Sequence, residues 1–133
     1  MNQFFAEFFG TAMILVFGSG VVANVLLNKT KGNNGGWIVI TFGWAVGVFT
    51  GVLISASVSG AHLNPAVTLA LAIAHKFSWA KVPIYILAQV LGAMFGAGLT
   101  WLAYKKHFDA TEDADSKLAV FSTMPNIRSY WYN

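Results

Sequence analysis

The chain has 133 residues, of which 56% are hydrophobic and 10% are charged, with a formal net charge of +3. A soluble domain carries charges on about a quarter of its residues, so this composition excludes a soluble globular protein and a disordered chain. The absence of cysteine excludes disulfides, cysteine-ligated metals and thiol catalysis. The small positive charge is assigned to lysines at membrane interfaces rather than to nucleic-acid binding.

Three stretches contain no Asp, Glu, Lys or Arg. They are 21 residues between Glu7 and Lys29, 44 between Lys31 and Lys76, and 23 between Lys81 and Lys105. A helix that spans a bilayer needs about 20 apolar residues. Counted by length alone, the three stretches predict four spanning helices.

The first predicted membrane helix covers residues 4–27 and ends at a turn rich in glycine and asparagine. The second covers residues 37–57. Small residues recur in it at four-residue spacing, the pattern that lets membrane helices pack closely. They are Gly43, Gly47 and Gly51.

The long uncharged stretch cannot hold two ordinary spans. After the second helix, a helix over residues 65–75 begins at Asn64, a favoured N-cap residue, with Pro65 in its first turn. The nine residues 66–74 that follow Pro65 reach about 14 Å as a helix, or half a bilayer, so we predict a re-entrant half-helix. The alternative is an interfacial kink in which Asn64 is an ordinary cap.

Residues 59–63, before the half-helix, are predicted to be extended. Such backbone at membrane depth is tolerated only inside protein or beside a water-filled cavity. Its carbonyls would be acceptors, and the half-helix N-terminus would offer N–H groups and partial positive charge. Carbonyl acceptors beside a positive helix end favour a small neutral solute over a cation. His62 has no metal-ligand spacing and is read as a structural residue, so we predict no metal and no cofactor.

The third predicted membrane helix covers residues 82–104 and lies between lysines at both ends. Gln89 is its one strongly polar residue at depth, and an interhelical hydrogen bond is favoured over a place in a polar site. Residues 105–133 are predicted to form a loop toward a fourth helix that the sequence lacks. The predicted fold is an all-α membrane protein with three transmembrane helices and one re-entrant half-helix.

Residues 59–68, Ser-Gly-Ala-His-Leu-Asn-Pro-Ala-Val-Thr, closely resemble the first Asn-Pro-Ala motif of the major intrinsic proteins, the aquaporins and glycerol facilitators. Residues 6–11, 89–93 and 121–126 resemble other segments of the same family in the same order. Family members have two inverted repeats and about twice this length. The resemblance therefore implies one N-terminal aquaporin-like repeat.

The resemblance also implies roles for individual residues. Asn64 would donate a hydrogen bond to the passing solute, and Glu7 would be buried and anchor the loop, with Gln89 in support. The carbonyls of Gly60, Ala61 and His62 would accept hydrogen bonds in the pore, and Pro65 and Ala66 would hold Asn64 in place. Leu63 and Val67 would form an apolar wall.

Trp44 lies 20 positions before Asn64, a spacing that matches the second-helix residue of the family's outer constriction. Glycerol facilitators resemble this chain in having tryptophan there. An aromatic face suits a carbon backbone, and Val48, one turn later, would continue the apolar wall. The alternative is that Trp44 is a lipid or packing anchor.

The function implied is a passive channel for glycerol, other small neutral polyols and water, not an enzyme. The alternative is a truncated or split fragment that conducts only with a partner C-terminal half. The family implies a homotetramer in the plasma membrane with a cytoplasmic N-terminus. The positive-inside rule opposes that orientation, because four lysines would then lie outside: Lys29, Lys31, Lys105 and Lys106.

Overall fold

The structure, a computed structural model, describes residues 2–123, 125–127 and 129–132. Its helices are α1 (Gln3–Leu26), α2 (Trp37–Ser59), α3 (Pro65–Ile73), α4 (Val82–Ala110) and α5 (Ala114–Ala119), with a 3-10 turn at Trp79–Lys81 leading into α4. Three segments are long and apolar enough to cross a membrane: Gln3–Leu26, Trp37–Ser59 and Trp79–Ala110. The predicted all-α membrane class is confirmed, and the middle uncharged stretch holds one spanning helix and the short α3.

Helix α1 packs between α2 and α4, and glycines let the backbones approach on both sides. A Cβ at Gly51 of α2 would stand 2.8 Å from the carbonyl oxygen of Gly10 in α1. On another face of α1, a Cβ at Gly92 of α4 would collide with the carbonyl oxygen of Phe8. These contacts involve backbone atoms, which cannot rotate away as a side chain can, so they fix the spacing of the three long helices.

The helix ends differ slightly from the predicted ones. Helix α1 starts and ends one residue earlier than residues 4–27. Helix α2 continues two residues beyond 57, because Gly60 with φ +86° supplies the left-handed C-cap. Helix α3 ends at Ile73 rather than 75, and His75 adopts φ +58° just after it.

The prediction of a loop over residues 105–133 is wrong for residues 105–110 and 114–119, which are helical. Lys105 forms an ion pair with Asp109 one turn later, which favours continuation of α4. The extension is also tied to the turn after α1, because the Asn28 N–H donates to Thr111 Oγ1 at 2.9 Å. Lys105 and Lys106 therefore lie within a helix and do not mark its end.

Helix α5 and the segment after it fold over the C-terminal half of α1 and the N-terminal half of α2. Phe108 and Val120 are buried in one apolar cluster with residues of both helices, among them Val22 and Ile40. Asp113 caps α5, and hydrogen bonds from the Ser116 hydroxyl and amide hold the pKa of its carboxyl below its usual range.

We expect Gly92→Ala to lower the free energy of unfolding by about 1–3 kcal/mol, because the added methyl meets the Phe8 carbonyl oxygen. Gly98→Ala is the matched control on the same helix, since a Cβ there meets nothing within 4 Å. Thermal unfolding in detergent, followed by circular dichroism, measures both variants. Equal melting temperatures for the two would contradict the backbone contact.

Candidate functional site

The loop of residues 60–64 joins α2 to α3 through an unusual backbone. Gly60, Ala61 and Leu63 have φ values of +86°, +53° and +54°. Residues other than glycine rarely adopt this left-handed region, because it costs each of them about 1–2 kcal/mol of conformational free energy. The prediction of an extended segment over residues 59–63 is therefore wrong: the chain turns repeatedly and needs outside support.

Glu7 of α1 provides that support and is completely buried. Its Oε1 accepts from Ser59 Oγ at 2.5 Å and from the His62 N–H at 3.0 Å. Its Oε2 accepts from the Leu63 N–H at 2.7 Å and from Gln89 Nε2 at 2.8 Å. All four partners are donors, which suits a carboxylate in a protein interior and satisfies two loop amides.

Gln89 connects the loop anchor to the half-helix. Its Nε2 donates both to Glu7 and to Thr68 Oγ1 of α3, the latter at 2.9 Å. Both partners accept, so the orientation of the Gln89 amide is determined by its surroundings. From the same face of α4, the Tyr85 hydroxyl donates to the Ser59 carbonyl at 2.9 Å. Helix α4 thus contacts the last residue before the loop and the half-helix after it.

Asn64 caps α3 with its side-chain oxygen. Oδ1 accepts from the Ala66 N–H at 2.8 Å, and Pro65 occupies the first turn. Because a backbone N–H must face an acceptor, the side-chain nitrogen Nδ2 faces away from the helix. Asn64 is exposed, so this amide nitrogen is available as a donor at the start of the half-helix.

The loop carbonyls complement that donor. No hydrogen bond from the described residues reaches the carbonyl oxygens of Gly60, Ala61 or His62. The N–H groups of His62 and Leu63 donate to Glu7, and that of Ala61 donates to Ser59 Oγ, whereas these oxygens remain free to accept. The exposed side chains of Ala66 and Val67 lie just beyond them in sequence. The loop therefore offers several acceptors and one side-chain donor to an adjacent molecule.

The side chain of His62 lies inside the protein, whereas its carbonyl oxygen is one of the loop carbonyls without a partner among the described residues. It is 8% exposed, its Nδ1 is 3.1 Å from Thr68 Oγ1, and its ring packs against Phe77 and Tyr85. Thr68 Oγ1 also donates to the Asn64 carbonyl at 3.2 Å. Among the residues that the structure describes, no group of three His, Asp or Glu is placed to hold a metal ion. The His62 ring therefore braces the loop against α3 and α4.

Leu63 differs from its expected position on an open apolar wall. It is 7% exposed, and its side chain fills the space between two glycines: a Cβ at Gly10 would stand 2.5 Å from its Cδ2, and one at Gly51 3.1 Å from its Cδ1. Val67, expected beside it, is 42% exposed. Leu63 thus anchors the loop in the α1–α2 contact, and Val67 presents the apolar surface.

Trp44 and Val48 lie away from the loop, on α2. Trp44 is half-buried and lines a cavity of about 670 Å³, together with Leu15 and Ser19 of α1 and with residues of the segment 113–126. Val48 is 46% exposed one turn further along α2. Residues 60–67, the loop and the first turn of α3, line no part of this cavity, so the predicted site divides into a loop region and an aromatic region around Trp44.

Thr68, Tyr85 and Ser59 were not assigned roles from the sequence, although each holds the loop. Sequence spacing indicates a role for two of them. Thr68 lies four residues after Asn64, and Tyr85 lies four residues before Gln89, so each shares a helix face with a predicted site residue. Ser59 stands next to the turn, where serine is common for many reasons.

We expect Glu7→Gln to loosen the loop. Whichever oxygen becomes the NH2 group, either the His62 or the Leu63 N–H loses its acceptor, at about 1–3 kcal/mol for each buried donor left unpaired. Amide hydrogen exchange measured by NMR should become faster at one or both of these positions, by about tenfold for each 1.4 kcal/mol.

The control for this variant is Gln3→Glu, the reverse exchange at an exposed position of the same helix, where the Gln3 side-chain oxygen accepts from Lys81 Nζ at 3.3 Å. It should leave both amides unchanged. Unaltered exchange at His62 and Leu63 in Glu7→Gln would show that the carboxylate does not hold the loop.

Comparison with known proteins gives concordant results. A probable glycerol uptake facilitator protein of Thermotoga maritima is 52% identical over 133 residues, which are 100% of this chain and 57% of the relative. A glycerol uptake facilitator protein of Bacillus subtilis is 46% identical over 96% of this chain and 46% of its own length. The chain therefore spans about half the length of the curated relatives it matches.

Among solved structures, the aquaglyceroporin from Plasmodium falciparum superimposes with a TM-score of 0.76 and 39% identity, over 80% of this chain and 43% of that one. A profile of the family named Major intrinsic protein matches residues 1–128. The half-helix, its Asn-Pro-Ala start and the three long helices all lie within that match. The chain therefore belongs to the major intrinsic protein family.

Proposed function

We propose that this chain forms the N-terminal half of a pore for the passive passage of glycerol, other small neutral polyols and water. The observation that carries the proposal is the division of polar groups in the loop. The N–H groups of residues 62 and 63 donate to Glu7, while the carbonyls of residues 60–62 and the Asn64 amide nitrogen have no partner among the described residues. A solute with hydroxyl groups can donate to the carbonyls and accept from the amide, and so replace its lost water.

A neutral solute fits this arrangement better than a cation. The N-terminus of α3 carries a partial positive charge, and the Asn64 side chain adds a donor at the same place. Carbonyl oxygens alone would favour cations, but a positive helix end beside them opposes a positive charge at the centre. The relatives named as glycerol uptake facilitators support the choice of a small polyol.

The aromatic region around Trp44 supports the same class of permeant. The Trp44 ring borders a cavity that is open enough for a small solute, and the exposed Val48 continues the apolar surface along α2. An aromatic face and a valine suit the carbon backbone of glycerol, while its hydroxyls turn to the opposite side. We therefore assign Trp44 to the entrance and the loop of residues 60–64 to the centre of the pathway.

The alternative proposal is that the chain conducts nothing without a complementary second half. Two observations favour it. The chain spans about half the length of its relatives, and the free loop carbonyls would face lipid if nothing else covered them, which is costly. We expect the complete pore to be a homotetramer surrounded by lipid, as the family resemblance implies.

Reconstitution into liposomes tests both proposals. We expect glycerol uptake, followed by light scattering, to rise when this chain is combined with the second half of the Thermotoga maritima relative. Liposomes with this chain alone test the alternative, because uptake there would refute it. Uptake by the pair no faster than by protein-free liposomes would refute the channel proposal.

Asn64→Asp provides the variant for this assay. It removes the free amide donor and places a carboxylate at the start of α3, so a cation meets less opposition. The pair should then show a measurable cation leak in a fluorescence assay of ion flux. An ion flux equal to that of the unchanged pair would contradict the proposed role of Asn64.

We also propose a multi-pass position in the plasma membrane with a cytoplasmic N-terminus. Lys31, in the turn between α1 and α2, then lies outside, and Lys76, in the turn after α3, lies inside; both are exposed. The lysine distribution alone would favour the reverse orientation.

Because the sequence contains no cysteine, single substitutions report orientation without background. We expect Lys31→Cys to react with a membrane-impermeant maleimide applied to intact cells. Lys76→Cys, the matched control at the other end, should react only after the membrane is permeabilised. The reverse pattern would refute the proposed orientation.

A further inference from the structure

The Trp44 ring lies directly on the backbone of α1. A Cβ built at Gly18 would have three Trp44 ring atoms as its nearest neighbours, Cε3, Cζ3 and Cδ2, with Cδ2 at 2.5 Å and the other two closer. Gly18 is buried, and Trp44 is half-buried. Since Gly18 lies within α1 and is not among the residues with positive φ, space explains the glycine better than backbone conformation does.

The backbones of α1 and α2 cannot separate easily to make room for a side chain at Gly18. A Cβ at Gly47 would stand 3.2 Å from the Ile14 carbonyl oxygen, and one at Gly51 would stand 2.8 Å from that of Gly10. These contacts hold the two helices together on one side of Trp44. A group added at Gly18 therefore displaces the Trp44 ring more readily than it displaces α2.

The free space available to a displaced ring is the cavity of about 670 Å³ that Trp44 lines. Leu15 and Ser19 of α1 border the same cavity, so the ring lies between the Gly18 backbone and the open volume. A ring pushed off Gly18 enters this volume and narrows it. The absence of a side chain at position 18 thus determines how far the indole extends into the cavity.

We infer that Gly18 is a positioning residue for Trp44 and thereby helps to set the size of solute that passes the ring. The inference rests on the proposed function for its consequence in transport. Gly18 acts through Trp44 and need not touch the solute. A wider passage beside the ring admits the carbon backbone of a polyol, whereas a narrower one still admits water.

Gly18→Ala tests this inference, and Gly20→Ala is its matched control. Both replace glycine by alanine in α1 two residues apart, but a Cβ at Gly20 meets nothing within 4 Å. Any general effect of alanine on helix propensity or insertion is common to both variants. A difference between them therefore reports the contact with Trp44.

The first measurement needs no transport. This chain is labelled with 5-fluorotryptophan in nanodiscs, and the fluorine resonance of Trp44 is assigned by its loss in Trp44→Phe. We expect Gly18→Ala to shift that resonance and Gly20→Ala to leave it in place. An unshifted Trp44 resonance in Gly18→Ala would overturn the proposed contact, whatever the transport result.

The second measurement compares glycerol and water permeability of this chain paired with the second half of the Thermotoga maritima relative. We expect the ratio of glycerol to water permeability to fall about tenfold in Gly18→Ala, which is the discrimination that one methylene typically produces in an apolar site. The double variant Gly18→Ala/Trp44→Phe should recover much of the ratio, because a smaller ring leaves room for the methyl.

The possible outcomes distinguish a failure of the role of Gly18 from a failure of the proposed channel function. A shifted Trp44 resonance with an unchanged permeability ratio, or with equal losses of both permeabilities, would overturn the role of Gly18 in selection. A failure of the double variant to recover the ratio would do the same. If the unchanged pair conducts neither solute, the proposed function fails, and the fluorine spectrum alone decides whether Gly18 positions the ring.

Discussion

The Glu7 carboxylate accepts four hydrogen bonds, and two of them come from backbone amides of the loop between α2 and α3. Inside a membrane no water replaces a missing acceptor, and each unpaired N–H costs several kcal/mol. The amides of His62 and Leu63 are satisfied at this depth because α1 delivers a buried acceptor with two oxygens. The conformation of the loop depends on the packing of α1, whose backbone lies against α2 and α4 through glycines.

The same carboxylate explains why the loop tolerates unfavourable dihedral angles. Ala61 and Leu63 are held in the left-handed region, at about 1–2 kcal/mol each. Hydrogen bonds to a buried charge, at about 1.5–3 kcal/mol each, are strong enough to offset that cost. As a consequence, the amides of residues 62 and 63 donate to Glu7, whereas the carbonyls of residues 60–62 have no hydrogen-bond partner among the described residues. The strained loop conformation that Glu7 stabilises therefore also leaves unpaired the carbonyl acceptors that the proposed pathway needs.

The sequence predicts the features that arise from local chemistry. The uncharged stretches predict the long helices, and Asn64-Pro65 predicts the start of α3. The features that the sequence does not predict depend on contacts between residues that are far apart in the chain. Lys105 looked like an interface residue, yet its ion pair with Asp109 and the Asn28–Thr111 bond extend α4. Leu63 looked like an open wall residue, yet the gap between Gly10 and Gly51 accommodates its side chain. A sequence pattern shows that a glycine is present but not which side chain fills the space it leaves.

Helix α1 links the two regions of the candidate site. It carries Glu7 beneath the loop and Gly18 beneath the Trp44 ring. They are eleven positions apart in one continuous helix, a distance of about 16 Å along the axis. A helix of this length is stiff, and its contacts with α2 and α4 are backbone to backbone, so the loop and the ring cannot move independently along α1. The spacing between the aromatic entrance and the polar centre of the proposed pore is therefore set by one helix, which supports both of the positions proposed to act on solute size and on hydrogen bonding.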